Sequence, residues 1–303
     1  MTLTELKYLV TLAQELHFGR AASKCFVSQP TLSVAIKKLE DELGVALFER
    51  SSGSIRLTEV GEQVVQQSEK VLVETKRVQE LAHAGKDQLS GPLKVGAIYT
   101  VGPYLFPHLV PEVRRLAPGM PLYIEENYTA VLREKLRRGE LDAIFIALPF
   151  HEPEVVTQAL YDEPFEVLMQ AQHPLAKKKS LAIEDLTSED VMLLGEGHCM
   201  RDQILEFCPK LIERNRDTNT RIAEGSSIET LRHMVASGIG ITLLPYTATG
   251  MTSYSDDVIT TRPLTNPQPY RSIALAWRVS FARPKAIDIL TQATRQCRVV
   301  GAD

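Results

Sequence analysis

No stretch of this chain is long and apolar enough to cross a bilayer. Runs such as "AIFIAL" (Ala143–Leu148) stay far below the ~20 residues a membrane helix needs. The opening "MTLTELKYLVTLAQELHF" carries Glu5 and Glu15 and lacks a signal-peptide layout. The expected location is therefore the cytoplasm, with no membrane partner. Cysteine is scarce, four in 303 residues. In a reducing compartment that disfavours a permanent disulfide and favours a reactive or regulatory one. Neither cysteine nor histidine recurs at metal-ligand spacing. Cys199, Cys208 and His198 offer three ligands at most, and the two cysteines stand nine positions apart, which is not a zinc pattern. No metal and no cofactor is expected. Repeats and low-complexity tracts are absent. So is a dominant charge: 34 basic against 38 acidic residues leave −4, which taken alone argues against nucleic acid as a partner.

What is present is an ordinary soluble composition, 44% hydrophobic and 24% charged, long enough for two or three domains. Residues 1–58 are dense in helical periodicity and end in a hairpin. Residues 59–88 read as one long polar helix. After the break "LSGPLK" (Leu89–Lys94), short β-rich runs alternate with amphipathic helices, the pattern of α/β architecture.

The segment "FGRAASKCFVSQPTLSVAIKKLEDELG" (Phe18–Gly44) reads as helix, turn, helix. Ala21 and Ala22 permit close crossing in the first helix. Ser28 is placed to cap the second, and Pro30 suits its first turn. Leu32, Ala35, Ile36, Leu39 and Leu43 recur on one face of that helix. Gln29, Thr31, Ser33 and Lys37 fall elsewhere, free to face a DNA groove, as the N-terminal part of a recognition helix does. "LFERSSGSIRLT" then reads as strand, turn, strand: a wing, with Arg50 and Arg56 placed to touch phosphates. A small helical core with no partner fits the same pattern. Residues 1–60 hold seven basic and seven acidic residues, Lys7, Arg20, Lys24, Lys37, Lys38, Arg50 and Arg56 against Glu5, Glu15, Glu40, Asp41, Glu42, Glu49 and Glu59. A neutral domain binds DNA poorly alone, so the DNA reading implies docking of more than one copy. Gly61, Val64, Ser68, Val71, Thr75, Val78 and Ala82 form a heptad seam that could pair two copies. A solvated spacer helix is the alternative.

The run "AASKCFVSQPTLSVAIKKLEDELGVALFERSSGSIRLTEVG" resembles the N-terminal domain of LysR-type transcriptional regulators. The likeness rests on Ala21-Ala22, Ser28-Gln29-Pro30, Ser33, Leu39-Glu40, Leu43-Gly44, Leu47-Phe48, Arg50, and Leu57-Thr58 with Gly61. It adds Ser28 and Pro30 to the expected DNA-binding residues. It implies an α/β protein with an N-terminal winged helix-turn-helix (1–58), a linker and dimerisation helix (59–88) and a two-lobed effector domain like a periplasmic binding protein. One lobe would be 91–161 with 268–303, the other 162–267. It also implies a dimer of dimers, a homotetramer on promoter DNA.

In the effector region "PLKVGAIYT", "PLYIEEN", "AIFIAL", "PFEVLMQ", "GIGITLLP" and "YRSIALAW" read as strands, with helices between them and a closing helix Pro284–Arg298. The chain is expected to cross between lobes near Leu160 and near Pro267. Ligands sit between such lobes, at strand ends and helix N-termini. Thr100 and Thr129 stand at such ends, either as plain N-caps or with hydroxyls turned into the interlobe site.

The stretch "GEGHCMRDQILEFCPK" (Gly195–Lys210) holds Cys199 and Cys208. Buried inert thiols, the usual fate of intracellular cysteine, are one reading, and the one given to Cys25 and Cys297. Reactivity is another. Cys199 falls in the first turn of a predicted helix, whose dipole favours thiolate, and Arg201 and His198 can add positive charge or donors. Nine helical steps give ~13–14 Å of rise, whereas a disulfide needs Cα atoms within about 7 Å. The two cannot join while the helix persists. Pro209 disfavours helical geometry at Cys208, so the far end is the easier one to loosen. Joining the cysteines would displace Ile204, Leu205 and Phe207, making the segment bistable.

"GHCMRDQILEFC" resembles the redox segment of the peroxide-sensing members of the same family. That likeness implies Cys199 as peroxidatic and Cys208 as resolving cysteine, with Thr100, Thr129 and His198 near hydrogen peroxide and Arg271 polarising the site. Pro209–Asn219 shows no feature matching that group. The expectation is a regulator, not an enzyme, switched by a reversible Cys199–Cys208 disulfide and controlling antioxidant genes. Dithiol reductants would reset it, and RNA polymerase is a candidate partner. Two rivals stand beside it: the same fold answering a small metabolite with inert cysteines, and a thiol peroxidase carrying a DNA-binding domain.

Overall fold

The structure, a computed structural model, describes residues 1–51, 54–84, 87–211, 224–250, 254–265 and 267–297. The chain divides into two units, residues 1–86 and 87–303.

The first unit opens with α1 (Leu3–Glu15), started by a reciprocal capping box between Thr2 and Glu5. Helices α2 (Phe18–Lys24) and α3 (Gln29–Leu43) follow. Ser28 caps α3, its hydroxyl accepting from the Thr31 N–H, with Pro30 in the first turn. Leu32, Ile36 and Leu39 from α3 meet Leu9 and Leu12 from α1 and Ala21 and Ala22 from α2 in one buried cluster. Leu43 departs from the expected apolar face and is 37% exposed. Gly44 is left-handed (φ 71°) and turns the chain away, and Leu47 fills the core instead. The Glu40 carboxylate holds that turn, accepting from Leu47 and Phe48 N–H at 2.8 and 3.2 Å. Strands β1 (Phe48–Ser51) and β2 (Ser54–Leu57) pair antiparallel, Phe48 opposite Leu57. The expected turn between them, at 52–53, lies outside the described residues.

Helix α4 runs Glu59–Ala84. Its first turns lie on the domain, with Gly61, Val65 and Ser68 buried. Further along the seam Val71 and Ala82 are exposed, and Val78 is 67% exposed.

The second unit is built on a nine-stranded sheet. Strands β3 (Leu93–Ile98), β4 (Leu122–Asn127) and β5 (Ala143–Ala147) run parallel. Helices α5 (Gly102–Leu116) and α6 (Thr129–Arg137) form the crossovers. The 16-residue β6 (Val155–Gln170) and the late strand β11 (Tyr270–Arg278) pair antiparallel beside β5. Beyond Pro164, β6 leaves β11 and pairs with β9 (Ile241–Pro245) and β10 (Ile259–Pro263). Strands β7 (Val191–Leu194) and β8 (Glu224–Gly225) complete the second half.

Two separate buried clusters result. One gathers β3, β5, β11, α5, α6 and the closing helix α9 (Pro284–Gln296), with Ile287, Leu290 and Ala293 inward. The other gathers the second half of β6, then β7, β9 and α8 (Ile228–Ala236). These are two lobes, and the long β6 runs through both. Helix α7 (Cys199–Phe207) lies at their junction. Among the described residues no helix is long and apolar enough to cross a membrane, and no group of three or more His, Cys, Asp or Glu could hold a metal ion.

Candidate functional site

Strands β3 and β4 end side by side, Ile98 opposite Asn127. Each strand end is followed by a Tyr-Thr pair, Tyr99-Thr100 and Tyr128-Thr129. The segment Gly197-His198-Cys199 comes to the same place from the second lobe. Together these residues line a small cavity, with about 10 Å³ open to the centre of a water-sized molecule. That is about what a single water requires. Small-molecule pockets ordinarily run to ~300–1,000 Å³, so a metabolite does not fit here.

The cavity's walls hold polar groups that are incompletely satisfied. The Thr129 hydroxyl is buried without a hydrogen-bond partner, and no side chain caps α6. Simple N-capping is therefore not what Thr129 does. His198 Nε2 is buried and unpartnered as well. Burial holds the His198 pKa below the usual imidazole value, opposed by a hydrogen bond to the Ser226 backbone. That bond takes one ring nitrogen and leaves Nε2 for the cavity. Tyr128 stacks edge-on to His198 at 4.8 Å and to Tyr99 at 5.2 Å. Gly197 is left-handed (φ +91°), and a Cβ there would meet the Tyr128 ring at 3.3 Å. Only glycine lets the chain pass under the ring and deliver Cys199. Buried polar atoms without partners are costly, so a small molecule that donates and accepts hydrogen bonds fits the space.

Thr100 is buried, but its hydroxyl accepts from Arg271 Nη1 at 2.7 Å, and its carbonyl accepts from Nη2 at 2.8 Å. Arg271 does not line this cavity. Its charge is met by Glu163 Oε1 at 2.6–2.7 Å, both side chains fully buried. Arg271 therefore reaches the site through Thr100. Arg201, expected beside a Cys199 thiolate, is turned elsewhere. Its Nη1 donates to the Leu194 carbonyl at 3.0 Å and to Glu224 Oε1 at 2.7 Å. No bond to the Cys199 sulfur is present among the described residues. The end of β7 offers a buried carbonyl and β8 a carboxylate, and Arg201 Nη1 is taken up by these two.

Cys199 is the first residue of α7 and Cys208 its C-cap, both free thiols. Cys199 is half-buried and packs against the first lobe's cluster, whereas Cys208 is buried in the second lobe's. Desolvation pushes the Cys208 pKa up. Met200 and Ile204 are fully buried in the second lobe, and Gln203 Nε2 donates to Leu148 O of the first at 3.0 Å. The segment Pro209–Asn219 lies largely outside the described residues. Cys25 and Cys297 are half-buried helix caps against apolar clusters. Burial raises the Cys297 pKa to about 11.

Of the expected DNA-contacting residues, Ser28, Gln29, Pro30, Thr31, Lys37 and Arg56 are exposed, and Ser33 is half-buried on the same helix. Arg50 lies in β1, its side chain outside the described residues.

Residues 3–62 match the model for bacterial regulatory helix-turn-helix proteins of the lysR family, and residues 86–297 match the LysR substrate binding domain. The chain belongs to the LysR family. Within it, the chain is 40% identical over 295 residues to the DNA-binding transcriptional dual regulator OxyR of Escherichia coli K12, covering 97% of this chain and 95% of that one. Full-length OxyR from Pseudomonas aeruginosa, solved with a cysteine-to-aspartate substitution, is 58% identical with TM-score 0.78 over 99% of each chain. A hydrogen-peroxide-bound cysteine variant of OxyR from Corynebacterium glutamicum is 32% identical with TM-score 0.66, covering 98% of this chain and 92% of that one.

Sequence reasoning missed the rest of this LysR site. Tyr99 and Tyr128 carried a signal, the repeated Tyr-Thr pair at two strand ends. Glu163, Glu224 and Gln203 carried none.

Two outcomes follow from the cavity. Thr129→Val removes an unpaired buried hydroxyl at constant shape. It should leave stability unchanged or raise it by about 1 kcal/mol. On the reading that Cys199 is the thiol that reacts with peroxide, its loss during peroxide pulses should slow roughly three- to tenfold. Unchanged kinetics would remove Thr129 from the site. The depressed His198 pKa sets a pH dependence. The unfolded state binds more protons below about pH 6.5. The contribution is present above that value and is lost as pH falls toward the folded pKa. Urea midpoints of the reduced protein should drop between pH 7.5 and 5.5, and His198→Asn should flatten that drop.

Proposed function

We propose that this chain is a hydrogen-peroxide-sensing transcriptional regulator of the cytoplasm, switched by a disulfide between Cys199 and Cys208 and controlling antioxidant genes. The supporting observation is Cys199 at a water-sized cavity whose Thr129 hydroxyl and His198 Nε2 lack partners. The relatives named for peroxide support the same reading.

The chemistry runs in two steps. The Cys199 sulfur attacks one peroxide oxygen, the O–O bond breaks, and the departing oxygen takes up protons as water, leaving a sulfenic acid. The Cys208 sulfur then displaces hydroxyl from that sulfenic sulfur, forming the disulfide and a second water. Dithiol reductants reverse it. Thr129 and His198 hold the peroxide, and Arg271 positions Thr100. Exposed seam residues on the outer half of α4 support pairing of copies into the tetramer that places four helix-turn-helix units on DNA. RNA polymerase is the proposed onward partner.

The test is a footprint on genomic DNA selected by binding to the full chain. Wild type, Cys199→Ser and Cys208→Ser are compared reduced and peroxide-treated. Wild type should change its protected pattern on oxidation and both variants should stay in the reduced pattern. If all three respond alike, a metabolite regulator is the better reading. Sustained peroxide turnover with reductant, unaffected by removing residues 1–90, would indicate a peroxidase.

A further inference from the structure

The turn between α2 and α3 leaves Phe26 almost bare. At 94% exposure it is the most exposed large hydrophobic side chain among the described residues. Its φ is +56°, in the left-handed region that a bulky side chain rarely enters. The backbone fixes this pose: the Phe26 N–H donates to Ser23 O at 3.1 Å, and the Val27 N–H to Ala22 O at 3.0 Å. The domain core closes without the ring, around Leu32, Ile36 and Leu39. The chain thus gives up the burial of an aromatic side chain and accepts a strained backbone at one residue. Such strain concentrates where a surface is used.

The surroundings indicate the use. Two positions on stand Ser28, Gln29, Pro30 and Thr31, all exposed, at the start of the recognition helix. Pro30 and Val34 are four apart on one face of α3. Both are exposed, Val34 at 68%. The surface continuous with the DNA-reading residues therefore carries apolar groups at 26, 30 and 34 among hydrogen-bonding ones. The major groove offers one apolar feature, the C5 methyl of thymine, and phenylalanine is among the side chains that contact it. We propose that Phe26, flanked by Pro30 and Val34, reads thymine methyl groups in the operator. It supplies sequence preference through apolar contact where Gln29 and Ser33 supply it through hydrogen bonds. The inference rests on the DNA-binding reading of the helix-turn-helix and is independent of the peroxide chemistry.

The probe is a genomic fragment selected by binding to the full chain, amplified with either dTTP or dUTP. Uracil keeps every hydrogen-bonding edge and lacks only the methyl. Binding is measured by gel shift at one fixed salt concentration. A buried methyl is worth about fourfold in binding, so wild type should lose about 15-fold on the uracil fragment if one methyl is read in each of two half-sites. Phe26→Ala should bind thymine DNA more weakly by a similar factor, and its thymine-to-uracil ratio should fall toward one. Its salt dependence should be unchanged, because no phosphate contact is lost. An exposed ring holds no core, so the variant should melt at the wild-type temperature. The proposal is overturned if wild type does not distinguish the two fragments, or if Phe26→Ala keeps the wild-type ratio. It is also overturned if the variant melts early. Unchanged DNA affinity with an altered oligomeric state by sedimentation would assign the ring to a contact between copies instead.

Discussion

Arg271→Ala is expected to lower the stability of the effector unit by about 3–5 kcal/mol. For a unit of this size that is roughly 6–20 °C in melting temperature. The reason is the charge it leaves behind. Glu163 is fully buried and stands opposite Arg271 on the antiparallel pair β6–β11. Its Oε1 is bound by the guanidinium and its Oε2 by the Thr247 hydroxyl at 2.6 Å. The remaining donors of Arg271 hold Thr100 at both oxygens. One ion pair therefore ties the segment after β3 in the first lobe, the β6–β11 pair, and the Thr247 segment of the second lobe. Without the arginine, Glu163 is a buried carboxylate held only by the Thr247 hydroxyl and backbone N–H, and the Thr100 hydroxyl loses its donor. Replacing both charges with leucine should recover a large part of the loss, because a buried pair contributes little net stability over apolar residues of similar volume. Chemical denaturation of the two single variants and the double variant measures the coupling. Equal and additive losses would mean that the pair does not act as a unit. Sensing should suffer with stability: peroxide reactivity of Cys199 should fall in Arg271→Ala, while Arg271→Lys, which keeps the charge and loses the fork, should fold better than it senses.

The same network shows where sequence reading stops. Helix α3 was legible because its signals are local: Ser28 and Pro30 at the start, Leu32, Ile36 and Leu39 along one face. Leu43 obeyed the same periodicity and still came out exposed, since the turn at Gly44 brings Leu47 into the space it would have filled. The Cys199–Cys208 separation was legible for a local reason too, the rise of a helix. That the two thiols belong to different cores was not, because it depends on where α7 docks. Thr100 and Thr129 were legible as the threonines at two strand-to-helix junctions, although Thr100 lies two residues past β3 and Thr129 opens α6. The partners of Arg271 and Arg201 were invisible. Glu163 lies 108 residues from Arg271 and faces it only through the β6–β11 register, which shifts at Ile273/Ala274. A sequence shows that a positive charge exists, and long-range pairing decides which negative charge takes it.

Closing the Cys199–Cys208 disulfide should dismantle α7, and the size of that loss sets the potential of the switch. The helix rise of ~13–14 Å must shrink to a Cα separation under about 7 Å. Met200 and Ile204, fully buried in the second lobe, must leave, and the Gln203–Leu148 bond between the lobes must break. Two such side chains exposed cost about 3–6 kcal/mol if none of the burial is recovered. At about 1.4 kcal/mol per 30 mV, this raises the potential ~65–130 mV above the value near −300 mV of an unstrained structural disulfide. The expected value, roughly −170 to −240 mV, reaches the range of cytosolic glutathione and thioredoxin-type reductants. Reduction is then spontaneous once peroxide is gone, which a resettable sensor requires. Equilibration of the full chain in graded glutathione buffers reads this potential directly. Hydrogen exchange on the same samples should show amides 203–208 protected when reduced and open when oxidised. The burial that holds Cys208 as a thiol also delays it as an attacker, so the Cys199 sulfenic acid should be trapped by dimedone before the disulfide closes, and subdenaturing urea should speed that closure. A potential below −300 mV together with unchanged protection of α7 would mean that the bond forms without disturbing the fold, and a thiol that joins its partner at no structural expense has nothing to transmit.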